Sequence, residues 1–453
     1  MGDILKGSPL VSDARPTSHS VSTAEPVAAG TAVANTTGTS YLSEFDLIES
    51  KYSITGAVLD KIIPLRKNYS EMYGKTWSRT SGAGCVGYCE SSYGTDTSFG
   101  IKVAATFSGI SLYSSKYVYK FGIFDSYNNQ LGRSKEIFVE RNGVYTFYVD
   151  PIRRMSTGFY KSSLKFKWYY KTKKGSEWTL SNDITVPLYN FPLKPTSPWS
   201  NKKGERNNPW TDVLDLLWGK SIDNPENYKL RYQTTTARIS KAVTYIVNSK
   251  LGLVYDNDGG GSTRFGSGKY DLTDFLKCLN GTSTTNLSRN KRVINCTDCA
   301  RAVTTFANLL GCYLFNVVFG GTGGFHCNKV MTLGASKWDY PFSDRYGGTE
   351  GGFACHEINM VGTYKYTSNI YDACLKVNKN VIKNGQDSNR SSLLPENTRY
   401  SSQTDYPRIR TKDDYPYISA NDDQYYIEWL VYNDRKDFIK AKLYSNRGTI
   451  DIE

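Results

Sequence analysis

Hydrophobic and polar residues alternate along much of the chain between residues 41 and 200, which is the spacing of half-buried β-strands. The segment SLKFKWYYK is the clearest case, because Phe166 and Trp168 share one face while the lysines occupy the other. Two further aromatic-rich segments, KYVYKFGIF and GVYTFYV, show a strand-like pattern. Residues 41–200 are therefore predicted to form an all-β sandwich, with a short leading helix at residues 42–63.

The hydrophobic spacing changes after the proline- and charge-rich segment YNFPLKPTSPWSNKKGERNNPW, which is predicted to be a linker. Apolar residues now recur every three or four positions, which is the period of an amphipathic helix. Three helices are marked by Val213, Leu214, Leu216 and Leu217, then Ile239, Val243 and Ile246, and then Leu272, Phe275, Leu276 and Leu279. A longer helix and several strands follow, so residues 201–453 are predicted to form an α+β domain.

The opening of the chain fits neither pattern, because it is rich in Ser, Thr, Ala, Pro and Gly and poor in large apolar side chains. Such a segment buries too little surface to offset the entropy of ordering, so residues 1–40 are predicted to be a flexible, disordered tail. A partner that orders this tail, or that binds the sandwich, would be a larger protein assembly.

The start of the chain lacks the basic segment and apolar run of a signal peptide. No apolar run approaches the roughly 18 residues needed to span a bilayer. Nine cysteines are an odd number in a chain without a secretion signal, so most of them are expected to be reduced thiols. These features favour a cytoplasmic protein without a membrane span, which a non-classical route could export or inject as an effector from a bacterial cell.

The net charge of +13 favours attraction to anionic surfaces. Residues 151–176 hold eight Lys and Arg and no acidic residue, with aromatic residues between them, which is typical of a nucleic-acid surface. The alternation favours a different interpretation, in which the aromatic residues face the core and the lysines cover a solvent-exposed sheet. Nucleic acid is therefore not expected as a partner.

The segment NCTDCARAVTTFANLLGC is predicted to be a buried core helix, because apolar residues cover most of its circumference. Asn295 is a suitable N-cap and Gly311 a suitable terminator. Cys296 then lies in the first turn, where the partial positive charge of the helix N-terminus favours the thiolate. We predict that Cys296 is a nucleophile, and that Cys299 is a small core residue.

A nucleophilic cysteine needs a base, and the chain has only three histidines. His356 begins the strand-like segment HEINMV, and Asp372 follows sixteen residues later in SNIYDACLKV. A turn at GTYKY would place the two residues directly opposite each other on antiparallel strands, with Cβ atoms about 4.5–5.5 Å apart. His326 with Asp339 is a rival pair without a comparable hairpin. The predicted catalytic residues are therefore Cys296, His356 and Asp372.

In these residues, the chain from about 209 to 400 resembles the transglutaminase-like superfamily of cysteine-nucleophile enzymes. The register of Cys296, Ala300 and Gly311 along the helix, and the order Cys, His, Asp, match that family. The segment HEINM departs from its usual His-x-Trp, and Asn295 and DACLKV depart from its small residue before Cys and its Asp-Pro. No animal-type calcium site is evident, since the glycine-rich segment at Asp256 has the wrong ligand spacing.

The resemblance implies a papain-like Cys-His-Asp domain and does not extend to the first 200 residues, where the strand pattern alone predicts an immunoglobulin-like sandwich. It also implies acyl transfer on protein or peptide amides through a thioester, without a cofactor or metal. Protease, deamidase and transglutaminase activities all remain open, with hydrolysis favoured. The backbone N–H of Cys296 is expected to donate to an oxyanion hole whose second donor the sequence does not identify.

Three other interpretations stay open. Cys296 and Cys299 have the spacing of a thioredoxin-type redox pair. Cys296, Cys299, His326 and Cys327 could supply a tetrahedral zinc site, although a single CxxC is weak evidence for one. A catalytically silent domain that only binds or scaffolds a larger assembly is the third.

Overall fold

The computed structural model describes residues 53–55, 62–71, 76–78, 85–89, 101–107, 117–152, 157–199, 207–257, 265–266, 268–283, 292–319, 324–327, 329–340, 342, 352–361, 370–376, 430, 444–449 and 451–453. The predicted tail of residues 1–40 lies outside these residues.

The first part of the chain contains eleven of the described strands: β1 (Ser53–Thr55), β2 (Ile62–Ile63), β3 (Thr76–Ser78), β4 (Val86–Tyr88), β5 (Ile101–Phe107), β6 (Tyr117–Phe124), β7 (Gln130–Ser134), β8 (Ile137–Phe138), β9 (Gly143–Pro151), β10 (Tyr160–Thr172) and β11 (Thr179–Asn190). They join in one sheet, in the order β2-β4-β11-β10-β6-β7-β9-β5-β1-β3, with β8 beside β6. Every described pairing in it is antiparallel except that of β4 with β11. We call this sheet the β-unit.

The β-unit curls until its inner face meets itself. Phe107 on β5 and Trp168 on β10 are four places apart in strand order, yet their ring centroids are 5.3 Å apart. Because neighbouring strands lie about 4.8 Å apart, a flat sheet would separate these rings by roughly 19 Å. Phe121 and Phe147 likewise meet across β7, at 5.7 Å. The curl thus encloses an aromatic core between facing layers.

Two expectations for this region need correction. The leading helix predicted at residues 42–63 is wrong where the structure describes it, because Ser53–Thr55 pairs with β3 and β5 and Ile62–Ile63 pairs with β4. The described strands also form one continuous sheet rather than the two separate sheets of an immunoglobulin-like sandwich. Sheet pairing between distant segments decided both outcomes, and local periodicity does not encode it.

The second part of the chain is mixed α and β, as predicted. Its described helices are α1 (Thr211–Ser221), α2 (Thr236–Ser249), α3 (Leu272–Leu279) and α4 (Cys296–Leu309), with 3₁₀ turns at Glu226–Tyr228 and Leu230–Tyr232. Its described strands are β12 (Val254–Tyr255), β13 (Val293–Ile294), β14 (Leu314–Phe319), β15 (Phe325–His326), β16 (Met331–Thr332), β17 (Gly352–Phe353), β18 (His356–Val361), β19 (Ile370–Tyr371), β20 (Leu375–Lys376) and β21 (Tyr444–Gly448). We call this part the helical unit.

Helix α4 lies at the centre of the helical unit, where it packs against α2, β14 and β18. The strands β19-β18-β14-β21 form a four-stranded sheet beside it. Every residue of α4 is buried, which confirms the predicted core helix. Gly311 follows the helix with φ +89°, and a Cβ there would lie 2.7 Å from the carbonyl oxygen of Lys194, so this close approach requires glycine.

The predicted linker packs against the end of α4. The indole N–H of Trp199 donates to the carbonyl oxygen of Thr305 at 2.7 Å, and the Asn308 side chain donates to that of Ser197 at 2.8 Å. Tyr189 and Phe191, at the end of the β-unit, join the same hydrophobic core as α4. The β-unit is thereby fixed to the end of α4 that is remote from Cys296.

All nine cysteines lie in described residues, and none forms a disulfide. Among the described helices, none combines the length and apolar character that crossing a membrane requires.

Candidate active site

Cys296 is the first residue of α4, and a capping box fixes the backbone around it. The Asn295 side chain accepts a hydrogen bond from the backbone N–H of Asp298 at 2.9 Å, and Asp298 accepts one in return from the backbone N–H of Asn295 at 3.4 Å. The other carboxylate oxygen of Asp298 accepts from the backbone N–H of Phe265 at 3.1 Å. Cys296 is therefore held at the positive end of the helix dipole, with 7% of its surface exposed.

His356 begins β18 and Asp372 follows β19, and the two side chains form a hydrogen-bonded pair. The distance from His356 Nε2 to Asp372 Oδ2 is 2.7 Å, and both side chains are fully buried. The second carboxylate oxygen of Asp372 accepts from the backbone N–H groups of Cys374 at 2.7 Å and Leu375 at 3.2 Å. The carboxylate is thus fixed from both sides and orients the imidazole ring.

The register of the two strands differs from the one predicted. Asn359 pairs with Tyr371 and Met360 with Ile370, so the continued register places Asp372 opposite Ile358 rather than opposite His356. The predicted direct pairing is wrong by two residues. Because side chains alternate with a period of two, the two residues nevertheless stay on the same face and meet diagonally. The GTYKY turn on which that prediction depended lies outside the described residues.

The Cys296 side chain lies close enough to His356 to act on the pKa of its imidazole. Burial acts to lower the pKa of His356, but the charge and hydrogen bond of Asp372, together with the nearby Cys296, raise this pKa from 6.5 to about 10. The imidazole is therefore held as an imidazolium between a carboxylate and a sulfur.

Tyr255 is a fourth member of the site, and sequence analysis did not identify it. Its strand β12 runs parallel to β13, and Tyr255 pairs with Ile294, two residues before Cys296. The phenol lies near the Cys296 side chain, and burial followed by nearby negative charge raises the pKa of Tyr255 well above 10. The hydroxyl thus keeps its proton and can donate it to the sulfur or to a neighbouring oxygen.

A layer of buried polar groups fixes α4 to the sheet behind the site. Thr297 donates to the carboxylate of Glu357 at 2.8 Å, and Asn359 donates to the carbonyl oxygen of Ala300 at 2.8 Å. Asn359 also donates to Asn316 at 3.0 Å. These contacts tie the first two turns of α4 to β14 and β18, so the distance between Cys296 and His356 is set by fixed elements rather than by loops.

The residues of the rival pair, His326 and Asp339, have different backbone partners. His326 lies on β15 opposite Gly352, whereas Asp339 is exposed, bridges Val330 through the backbone and lies 3.7 Å from Lys337. Within the described residues, no three or more His, Cys, Asp and Glu side chains are arranged to hold a metal ion.

Of the predicted site residues, the structure brings together Cys296, His356 and Asp372. Their catalytic roles stay a prediction.

Comparison with known proteins adds little to this geometry. No protein-family model matches the sequence, and no curated protein matches it. The chain is similar in structure to a transglutaminase from red sea bream, with 8% identity and a TM-score of 0.35 over 79% of this chain and 57% of that one. It is also similar to a glycosyl hydrolase family 2 member from Bacteroides cellulosilyticus, with 11% identity and a TM-score of 0.15 over 47% and 31% of the two chains. Both likenesses are too weak to assign an activity to this chain.

Proposed function

We propose that the protein is a cysteine-nucleophile acyl-transfer enzyme that acts on protein or peptide amides through a thioester. The observation that supports this most directly is the buried His356–Asp372 pair at 2.7 Å, whose imidazole lies near Cys296 at the start of α4. A nucleophile, an acid–base group and a residue that orients it are the three components that acyl transfer requires. No part of the proposal depends on a metal or cofactor.

In the proposed mechanism, the thiolate of Cys296 attacks the amide carbon and the carbonyl oxygen becomes an oxyanion. The imidazolium of His356 then donates its proton to the leaving amine, and a thioester remains on Cys296. Water or an amine attacks the thioester while His356 accepts the proton of the attacking group. Asp372 holds the ring and stabilises the imidazolium in both steps.

Two donors are available for the oxyanion. The backbone N–H of Cys296 is at the start of α4, where it has no acceptor within the helix. The hydroxyl of Tyr255 lies near Cys296 and remains protonated, so we assign it as the second donor. Hydrolysis of the thioester is favoured here over transfer to an amine.

We further propose a transglutaminase-like arrangement for the helical unit, since its nucleophile begins a core helix and its base and carboxylate lie on adjacent strands. The β-unit or the tail would dock the protein on a larger assembly. Export or injection from a producing cell is part of the same hypothesis.

A catalytically silent binding protein is the second candidate, and the burial of the site favours it. Cys296 is only 7% exposed and His356 is inaccessible, so a substrate must open the site before it can react. A binding protein would retain the buried pair for stability alone. The two candidates differ in whether the Cys296 sulfur reacts.

The test is intact-mass analysis of candidate protein substrates after incubation with the wild type and with Cys296→Ala. Conversion of an amide to an acid, loss of ammonia with cross-linking, or cleavage into fragments would identify deamidation, transamidation or proteolysis. Cys312→Ala is the matched control, because Cys312 is buried near the other end of α4 and should leave the reaction unchanged. Equal product from wild type and Cys296→Ala would contradict the proposal.

A second measurement needs no substrate. Iodoacetamide at neutral pH should label Cys296 before the other eight cysteines, since it begins α4 near the imidazole of His356. Cys355 is the internal reference, because it is the exposed cysteine. If Cys355 reacts first and Cys296 stays unlabelled, the silent binding protein is the better description.

A further inference from the structure

Three aromatic rings lie in a row beside the candidate site. The ring of Phe342 is in the middle, with its centroid 5.9 Å from that of Tyr255 and 5.7 Å from that of Phe353. Tyr255 belongs to the strand that lies beside the start of α4. The Phe353 ring lies 5.2 Å from the imidazole of His356. The Phe342 ring therefore joins the two rings that border the nucleophile and the base.

Phe342 is also the outermost of the three rings. Tyr255 and Phe353 are 4% and 2% exposed and His356 is inaccessible, whereas Phe342 is half-buried. Phe342 packs against the hydrophobic core that contains Cys296, yet part of its surface remains in contact with solvent. A molecule that approaches the two inner rings from this side meets Phe342 first.

The backbone of Phe342 is held in an unfavourable conformation. Its φ of +58° lies in the left-handed region, which a bulky residue rarely adopts. Glycine adopts this region without steric cost, so the turn itself does not call for an aromatic residue. Such conformations persist only where the surrounding structure holds them, and they concentrate at ligand clamps and switch regions.

Tyr313 shows the same conformation without a site beside it. Among the described residues, it is the other aromatic residue with a φ of +58°. It is 48% exposed, its ring lies 4.9 Å from that of Phe315, and it follows the C-terminal end of α4. A 14-residue helix is about 20 Å long, so Tyr313 is remote from Cys296. The neighbours of Phe342, and not its φ alone, give it a role at the site.

The chain that leads to Phe342 is fixed by elements of the site. Two backbone hydrogen bonds of 2.9 Å close the segment 330–339 at its ends, three residues before Phe342. Leu333 in this segment accepts from the backbone N–H of Tyr255 at 2.9 Å and donates to the carbonyl oxygen of Cys374 at 2.8 Å. The position of the Phe342 ring is thus tied to β12 and to the segment that follows β19.

We propose that the Phe342 ring occupies the place of a large apolar side chain of the substrate. The substrate side chain displaces this ring and packs against Tyr255 and Phe353, and the displacement opens the way to Cys296. The substrates are then amides beside an aromatic or large aliphatic residue. This inference rests on the proposed acyl-transfer function for its substrate, whereas the covering of Cys296 by the ring does not.

The substrate class follows from the surfaces that Phe342 covers. An apolar side chain replaces one ring by another and loses no hydration when it packs there. A charged or strongly polar side chain would lose its hydration against aromatic rings, which is costly. Displacement also releases Phe342 from its left-handed conformation, which favours opening. The 7% exposure of Cys296 is then the property of a closed site that an apolar substrate opens.

The test compares the rates at which iodoacetamide and N-benzyliodoacetamide label Cys296 in the full-length wild type, Phe342→Ala and Tyr313→Ala. Iodoacetamide should label Phe342→Ala about tenfold faster or more, because a minor open state is usually populated to about 10% or less. Apolar cavities in proteins bind benzene, so the space that the ring leaves should accept the benzyl group. The rate ratio of the benzyl reagent to iodoacetamide should therefore rise about tenfold. Tyr313→Ala is the matched control and should behave as the wild type.

Two buried thiols distinguish opening of the site from general loosening. Cys299 and Cys374 are each 1% exposed in the same core, and their labelling in Phe342→Ala should stay as slow as in the wild type. If Phe342→Ala does not fold, Phe342→Gly decides the question, because glycine adopts a φ of +58° readily. Equal labelling of Cys296 with and without the ring would overturn the inference, as would an increase that Cys299 and Cys374 share.

Amide turnover separates this inference from the proposed function. The wild type should consume a peptide amide with Phe beside the reacting amide at least about tenfold faster, in kcat/KM, than the same peptide with Gly there. An equal rate or a preference for Gly would overturn the substrate class. Turnover of amides without any effect of Phe342→Ala on labelling would support the enzyme and reject the role of Phe342. The labelling effects without turnover of any amide would support the covering ring and reject acyl transfer.

Discussion

The β-unit and the helical unit are stabilised by different kinds of interior. The β-unit encloses aromatic rings, with Trp168 in contact with Phe107, Phe121 and Phe147 at centroid distances of 4.9–5.8 Å. The helical unit instead buries several ionisable or amide side chains around α4, namely Asp298, Arg301, Asn308, Asn316, His356, Glu357, Asn359 and Asp372. Burying such groups is costly unless each has a partner.

This difference indicates which of the two units holds the functional site. An aromatic core can be explained by stability alone, since it removes apolar surface from water. A cluster of buried polar groups needs another reason, and perturbed ionisable groups concentrate at functional sites. Here most of the polar cluster, including Asp298, His356, Glu357 and Asp372, lies around the N-terminal half of α4, where Cys296 is the first residue. The comparison predicts that substitutions in the helical unit affect reactivity, while those in the β-unit affect stability alone.

The largest effect is expected for Asp372→Asn. The amide keeps the shape of the carboxylate but removes the charge that holds His356 protonated and oriented, so the rate of acyl transfer should fall by roughly 10⁴-fold. The measurement is the rate at which a peptide amide or thioester is consumed, with circular dichroism to confirm folding. Asp339→Asn is the matched control, because this exposed carboxylate belongs to the rival pair and its loss should change nothing. A comparable loss of rate in Asp339→Asn would instead indicate that His326, and not His356, is the catalytic base.

Trp168→Ala should give the largest loss of stability in the β-unit. Removing a fully buried indole leaves a cavity among three aromatic rings, which typically costs about 3–5 kcal/mol of the free energy of unfolding. Urea unfolding followed by fluorescence measures this loss. In conditions where the variant remains folded, labelling of Cys296 by iodoacetamide should match the wild type. Slower labelling in folded protein would show that the β-unit acts on the site and would weaken the comparison.

Sequence patterns predicted much of this arrangement because it is local. The buried circumference of α4, its Asn295 cap and its glycine terminator are encoded within one segment. The face shared by His356 and Asp372 was also predictable, since an error of two residues in register does not change the face of a strand. Tyr255 was not predictable, because a parallel pairing of two-residue strands places it beside Cys296. The curl of the β-unit depends likewise on contacts between distant strands.

Tyr255→Phe should reduce the rate of acyl transfer about 100-fold with little loss of stability. The substitution keeps the ring and removes only the hydroxyl proposed as the second oxyanion donor. Tyr270→Phe is a matched control, because Tyr270 is a fully buried phenol in the same hydrophobic core. The informative quantity is kcat at saturating substrate, since the donor acts in the transition state. An unchanged kcat would mean that Tyr255 only packs in the core. The second oxyanion donor would then be another group.

Stability should fall as the pH rises above 6.5, with a slope of about 1.4 kcal/mol for each pH unit. His356 has a pKa of about 10 in the folded protein and 6.5 as its ordinary value, so the folded state binds the extra proton between these values. Its contribution is complete below pH 6.5 and is lost as the pH passes through about 10. Unfolded thiols, whose ordinary pKa is about 8.5, add a slope of their own as the pH approaches that value, so the difference between two proteins with the same cysteines isolates the effect of His356.

The measurement is the free energy of urea unfolding at several pH values in the wild type and in His356→Asn. Between pH 6.5 and 8.5, the slope should be smaller in the variant than in the wild type by about 1.4 kcal/mol for each pH unit. The neighbouring Tyr255 and Cys374 have raised pKa values and stay neutral in this window, so they do not compensate. An equal slope in both proteins would mean that the His356–Asp372 pair is neutral in the folded state.

The smallest effect is expected for Lys167→Ala on the outer face of the β-unit. The Lys167 ammonium lies 4.6 Å from the centre of the Phe124 ring, and its strand neighbour across the sheet is Asp183. A cation–π contact at an exposed site contributes about 0.5–1 kcal/mol, so the free energy of unfolding should fall by no more than that. Binding of a single-stranded oligonucleotide, measured at low and physiological salt, should be absent or equal in both proteins. A strong, salt-dependent affinity that Lys167→Ala weakens would make the lysine face a nucleic-acid surface, and the β-unit would then have a function beyond stability.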